Sequence, residues 1–122
     1  MGPFCVFAGR VQTGEGEEFH LKRRYDEAVA GRRVLVVDDI INTGHSTGLV
    51  LKAVKAAGGD VIAVATWINR GNVGAEAFGV DTFIHLDEVH LPSFPAAGCR
   101  LCAESIPVNT DYAHGAEFLA GA

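Results

Sequence analysis

Two strand-length, predominantly apolar runs, residues 33–37 and 61–67, bracket an amphipathic segment, and this arrangement limits the fold more than anything else in the chain. Between them, Leu49, Val50, Ala53, Val54 and Ala57 recur with helical spacing, while Lys52 and Lys55 lie off that stripe. The spacing predicts a helix over 47–57, capped at its start by Ser46 or Thr47 and stopped by Gly58-Gly59. Strand, helix and strand make a βαβ unit with parallel strands and a right-handed crossover. Continuous β-branched runs of this kind are the pattern of strands covered on both faces.

The flanks fill in the rest. Residues 4–8 read as a strand, and Gly14-Glu15-Gly16 as a hairpin tip. Residues 18–25 alternate, with Phe19, Leu21 and Arg23 on one parity and His20, Lys22 and Arg24 on the other, as in a half-exposed antiparallel strand. Residues 71–79 read as loop with one helical turn, and 82–86 as a further strand. Pro92, Pro95, Gly98 and Pro107 interrupt the tail, which is expected to be irregular. With 122 residues the chain is expected to be one α/β domain. It divides into a hairpin at 4–25, a parallel-sheet core at 33–90 with flanking helices, and a tail at 91–122.

Composition excludes several function classes. The formal net charge is −5, with no basic block, so no nucleic-acid partner is expected. Three cysteines do not make a secreted disulfide framework. No apolar run approaches the roughly 18 residues of a membrane span. MGPFCVFAGR lacks the basic start and long apolar stretch of a signal peptide, so a cytoplasmic location and no membrane partner are expected.

The chemistry concentrates where the first apolar run meets two acids. Asp38 and Asp39 stand at the carboxyl end of a parallel strand, where α/β sheets bind ligands. Adjacent carboxylates repel unless a cation or hydroxyl groups engage them. Next comes the loop Asn42, Thr43, Gly44, His45, Ser46 and Thr47, which leads into a helix amino end with its free N–H groups and positive dipole. Gly44 permits close backbone approach, and Thr43, Ser46 and Thr47 add hydroxyl groups. Acids at a strand tip followed by a phosphate cradle match a phosphorylated ribose. The plainer alternative is an unliganded α/β protein with an acid-tipped strand and a capped helix.

The stretch VLVVDDIINTGHST resembles the phosphoribosyl diphosphate (PRPP) motif of type I phosphoribosyltransferases. FCVFAGR and FHLKRRYDEAVAGRRVLVVDD are similar to the approach to that motif in orotate phosphoribosyltransferases. Arg70, in INRG, stands where those enzymes carry an arginine that meets the orotate carboxylate. CRLCAESIP resembles a Cys-x-x-Cys segment near the end of some of them. Asn69 departs from an acidic residue common beside that arginine. The resemblance implies a truncated, Rossmann-like phosphoribosyltransferase fold and transfer of phosphoribosyl from PRPP to orotate. Asp38 and Asp39 would act at the ribose, with Mg²⁺ held through the substrate. Residues 42–47 would bind the 5′-phosphate, Arg70 the base, and Arg10 would serve the mobile loop.

The match covers about the second half of the family's domain. The family's earlier strand and pyrophosphate loop have no counterpart here, and VQTGEGE carries none of the usual mobile-loop lysines; Arg10 and His20 are the candidates to substitute. A truncation, a mis-started frame or an excised half would produce this. An incomplete sheet leaves edges and apolar surface bare, hence an expected homodimer.

Two other function classes compete. A half-domain could bind PRPP or phosphate without turnover. RRVLVVDD also resembles the opening of a two-component receiver, with Asp87 as a mimic of the phosphoacceptor. Against the receiver, no lysine follows Lys55 and only 35 residues follow Asp87. Cys99 and Cys102 are a weak zinc pair, for which His90 and His114 or a partner chain would have to complete the ligand set. His45 is read as a solvent-facing loop histidine, and Trp67 as a core residue.

Overall fold

A computed structural model of the protein describes residues 2–121. The chain divides into two compact units, Met1–Leu91 and Pro92–Ala122.

In the first unit, β1 (Ala8–Thr13) and β2 (Gly16–Leu21) form an antiparallel hairpin closed by Gly14-Glu15. The hairpin begins later than the apolar run at 4–8 implies. It ends earlier as well, because the chain turns at Arg23 and Arg24, both at positive φ, into a short helix, α1 (Tyr25–Val29). The alternation of 18–25 therefore spans one strand and a turn.

The parallel sheet comprises β3 (Arg33–Ile41), β4 (Asp60–Asn69) and β5 (Phe83–Glu88), in the order β3-β4-β5. α2 (His45–Ala56) joins β3 to β4 as the apolar spacing predicts. Its end is a Schellman turn: the Gly58 amide donates to the Lys55 carbonyl and the Gly59 amide to the Val54 carbonyl, both at 3.0 Å, with Gly58 at φ 80°. The helix buries Thr47, Leu51 and Val54 on the sheet. Leu51, which the predicted stripe omits, is among the deepest side chains. Leu49, Ala53 and Ala57 face the hairpin instead, lining a cavity with Phe19 and Leu21. The helix is thus apolar on two sides, one for each neighbour.

The core joins Val36, Ile41, Leu51, Val64 and Phe78, with Val34, Val50, Val73 and Phe83 packed against it. Full burial of a side chain such as Val64 contributes about 1.5–3 kcal/mol. Phe78 follows a 3₁₀ turn (Ala75–Ala77) and meets Phe83 edge-on at 5.4 Å.

One face of the sheet remains uncovered in this unit. Leu35 and Val37 of β3, Trp67 of β4, and Ile84 and Leu86 of β5 are 50–78% exposed. The expectation of strands covered on both faces holds for one face only, and Trp67, read as a core residue, stands on the open one.

The second unit is less irregular than its prolines imply. It contains a 3₁₀ turn at Ala96–Gly98, then α3 (Arg100–Ala103) and α4 (Gly115–Ala120). Gly115 is buried there, with room for no side chain: a β-carbon would lie 2.1 Å from the Thr110 carbonyl oxygen. Among the described residues, no helix is long and apolar enough to cross a membrane.

Candidate functional site

The site gathers at the carboxyl ends of β3 and β4. β3 does not stop before its acids: it runs on through Asp38 and Asp39 to Ile41. Strand alternation therefore sends the two side chains to opposite faces. Asp38 shares the α2 side of the sheet with its register partner Thr66. Asp39 shares the open face with Leu35 and Val37. Separation across the sheet relieves the repulsion that the sequence poses.

Asp38 is held from two directions. The Thr47 hydroxyl donates to its Oδ2 at 2.9 Å, and the Asp39 amide to its Oδ1 at 3.0 Å. Thr47 is itself buried. Its hydroxyl is spent on Asp38, so only its amide faces the loop's interior. The Ile40 amide donates to Asp39 Oδ1 at 2.8 Å, and the Asp39 carbonyl accepts from Thr66 at 2.9 Å.

The loop after β3 turns on Gly44, the N-cap of α2, at φ 77°. Neither Ser46 nor Thr47 caps the helix. The amide of His45 reaches Thr43 Oγ1 at 3.3 Å, and the Gly48 amide makes the helix's first backbone bond, to Gly44, at 2.8 Å. Among the described residues, the Ser46 and Thr47 amides have no acceptor. Two open donors at the positive end of a twelve-residue helix are the kind of arrangement that can accept an anion. Gly44 is needed twice over, because a β-carbon there would lie 2.9 Å from Phe78 Cε1. His45 opens the helix and is exposed, as expected.

Arg70 follows β4 and is brought to this loop. Its amide donates to the Ile41 carbonyl at 2.8 Å, and Gly71 passes so close that a β-carbon would sit 1.7 Å from the Asn42 carbonyl oxygen. Among the described residues, the buried Arg70 Nε has no hydrogen-bond partner. Asn69 fixes this turn. Fully buried, it donates from Nδ2 to the Val73 carbonyl at 2.9 Å and accepts the Val73 amide at 3.1 Å. The sequence marks Asn69 only as a departure from an acidic pattern. An amide, unlike a carboxylate, both donates and accepts here.

The hairpin residues are engaged among themselves. Arg10 pairs with Glu17 at 2.7 Å and lies over Phe19, and His20 bonds Glu18 at 2.9 Å. Cys99 and Cys102 bracket the first turn of α3. Among the described residues no group of three or more His, Cys, Asp or Glu is placed to hold a metal ion.

Comparison with known proteins decides the family: the model of the phosphoribosyl transferase domain matches residues 7–86. The chain belongs to that family. The match runs through the hairpin, the paired acids, the loop after β3 and most of β5, and removes the receiver reading. Orotate phosphoribosyltransferase of Caldanaerobacter subterraneus subsp. tengcongensis is 38% identical over 81% of this chain and 52% of its own length. That of Carboxydothermus hydrogenoformans is 41% identical over 62% of this chain and 39% of its own. That of Mycobacterium leprae is 46% identical over 47% and 32%. The chain thus spans about half the length of these relatives, or less.

Proposed function

We propose that this chain forms the ribose 5-phosphate half of an orotate phosphoribosyltransferase site, and that the complete site transfers phosphoribosyl from PRPP to orotate. The observation that carries this reading is the pair of open amides at Ser46 and Thr47, one turn from an acid held in place by Thr47. The 5′-phosphate accepts hydrogen bonds from those amides, with Thr43 and Ser46 hydroxyls at its side and Asn42, Gly44 and His45 shaping the loop. The ribose hydroxyls meet Asp38, with Asp39 on the adjacent face. As pyrophosphate leaves C1′, positive charge grows on the ring, and a fixed carboxylate stabilises it more than it stabilises the ground state. Arg70 meets the orotate carboxylate, since its guanidinium suits a planar anion. Arg10, on the hairpin, serves the leaving group.

Magnesium fits these residues through the substrate and not as a resident ion. The donors are hard carboxylate oxygens, but they diverge to opposite faces, and among the described residues no third ligand joins them. Asp38 and Asp39 would hold it by way of the sugar hydroxyls. When bound, it would neutralise charge on the departing pyrophosphate.

A cytoplasmic homodimer accompanies this reading, supported by the apolar face of β3–β5; light scattering tests the assembly. Binding without turnover is a second reading, favoured by the partial span of the match. Two assays separate the readings. Ribose 5-phosphate and PRPP should raise the melting temperature, and Asp38→Asn with Asp39→Asn should abolish the rise. Orotate consumption with PRPP and Mg²⁺ then distinguishes enzyme from binder. No thermal response at millimolar ligand overturns both.

A further inference from the structure

The proposed transfer reaction uses nothing from the second unit, which holds the most reactive arrangement of side chains outside the site. Cys99 precedes α3 in extended geometry, φ −71° and ψ 114°, and Cys102 lies within its single turn. Side chains three apart on a helix have β-carbons about 5–6 Å apart. A disulfide needs about 3.5–4.5 Å. Cys99 stands outside the helix, so a rotation of its own backbone closes that gap without unwinding α3. The two residues thus stand at neighbouring positions of one turn, Cys99 at its N-cap and Cys102 three residues on. Neither cysteine is buried, and both are free thiols.

The pair is also asymmetric. Hydrogen bonds from the Cys102 amide, the Cys102 thiol and the Leu101 amide hold the Cys99 thiol below the ordinary thiol range. The thiol of Cys102, spent as donor to Cys99, is pushed up. α3 is too short for its dipole to matter, so these three named donors carry the effect. A thiolate is the attacking species in disulfide exchange, and a neighbouring thiol resolves the mixed product.

We propose that Cys99 and Cys102 form a reversible dithiol–disulfide site that reacts with low-molecular-weight disulfides, Cys99 attacking and Cys102 resolving. The Cys99 thiolate attacks one sulfur of RSSR, forming Cys99–S–SR and expelling RS⁻. Cys102 loses its proton and attacks the Cys99 sulfur, closing the internal disulfide and expelling the second RS⁻. Two thiols are oxidised, one disulfide is reduced, and two protons pass to RS⁻.

The test uses the full chain carrying Cys5→Ser, so that only this pair remains, exposed to glutathione disulfide. Intact mass should show loss of two hydrogens, no retained adduct, and full recovery on reduction. With Cys102→Ser added, one glutathione should remain on Cys99. With Cys99→Ser instead, Cys102 should react several-fold more slowly. Iodoacetamide labelling of the single variants should place the Cys99 rise at lower pH than the Cys102 rise. Equal rates and equal pH midpoints would overturn the assignment of roles. Stable adducts on both cysteines without ring closure, or bound zinc that shields both thiols, would overturn the site itself.

Discussion

Gly44→Ala tests the link between the anion loop and the core. Two terms act on the folded state. Alanine at φ 77° sits in the left-handed region, which costs an L-residue about 1–2 kcal/mol. Its β-carbon would also meet Phe78 Cε1 at 2.9 Å and Cζ at 3.1 Å. Phe78 is 5% exposed and already edge-on to Phe83, so it yields only by disturbing the core. Overpacking of this kind costs about 1–3 kcal/mol. A stiffer unfolded chain returns about 0.4–1 kcal/mol. The net expectation is a loss of about 2–3 kcal/mol, read from urea denaturation by far-ultraviolet circular dichroism.

The two terms are separable. In a Phe78→Leu background the shorter side chain relieves the clash but not the backbone strain. Gly44→Ala should then cost about 1 kcal/mol. A loss under about 0.5 kcal/mol in the parent background, the size of an ordinary surface substitution, would refute the loop geometry. So would an equal loss in both backgrounds, since the steric term would then be absent.

Further outcomes follow from the same contacts. Thr47→Val keeps the side-chain shape but removes the hydroxyl that holds Asp38; a double-mutant cycle with Asp38→Ala should give a coupling of about 1 kcal/mol, discounted from charged hydrogen bonds generally because Asp38 is partly solvated. Asn69→Leu leaves the Val73 amide and carbonyl without partners and should cost about 2–4 kcal/mol in thermal or urea unfolding. The single tryptophan, Trp67, is 70% exposed, so its fluorescence should peak as indole does in water and be readily quenched by acrylamide. A blue-shifted, protected emission would show that a second copy or another chain covers the open face in solution.

Much of this fold is legible before any coordinates. The βαβ unit follows from two apolar runs and one helical stripe, and the Gly58-Gly59 stop follows from the need for positive φ at the helix end. What the sequence conceals is one-sidedness. The run at 33–37 looks doubly buried because apolar residues fill both parities, yet within it Val34 and Val36 join the core while Leu35 and Val37 stand on the open face. Trp67 misleads for the same reason: an aromatic residue within an apolar strand carries no record of which layer, if any, lies above it. Leu51 is missed because α2 packs on two neighbours, so no single stripe describes it. In the site, the loop and its paired acids are readable from residue types, whereas the commitment of Thr47 to Asp38 is not. A hydroxyl in a phosphate-loop pattern looks like a ligand donor until its acceptor is seen. Asn69 gives even less away, since its role depends on both ends of its amide meeting the main chain four residues on.

In the proposed function, the Thr47–Asp38 bond also couples the helix end to the acid. An anion seated on the Ser46 and Thr47 amides restrains the first turn of α2, and Thr47 belongs to that turn. Thr47 in turn orients Asp38 on β3. In the proposed function, the phosphate seat and the acid beside the sugar are then joined through one residue, and the join is already made in the unliganded chain. The opposite faces chosen by Asp38 and Asp39 fit this division. One acid is locked to the helix and defined by it, while the other stands on the open face, free of α2. Equal contributions from the two acids to ribose 5-phosphate binding would be out of keeping with that geometry; the locked acid carries the larger share because its orientation is set before the ligand arrives.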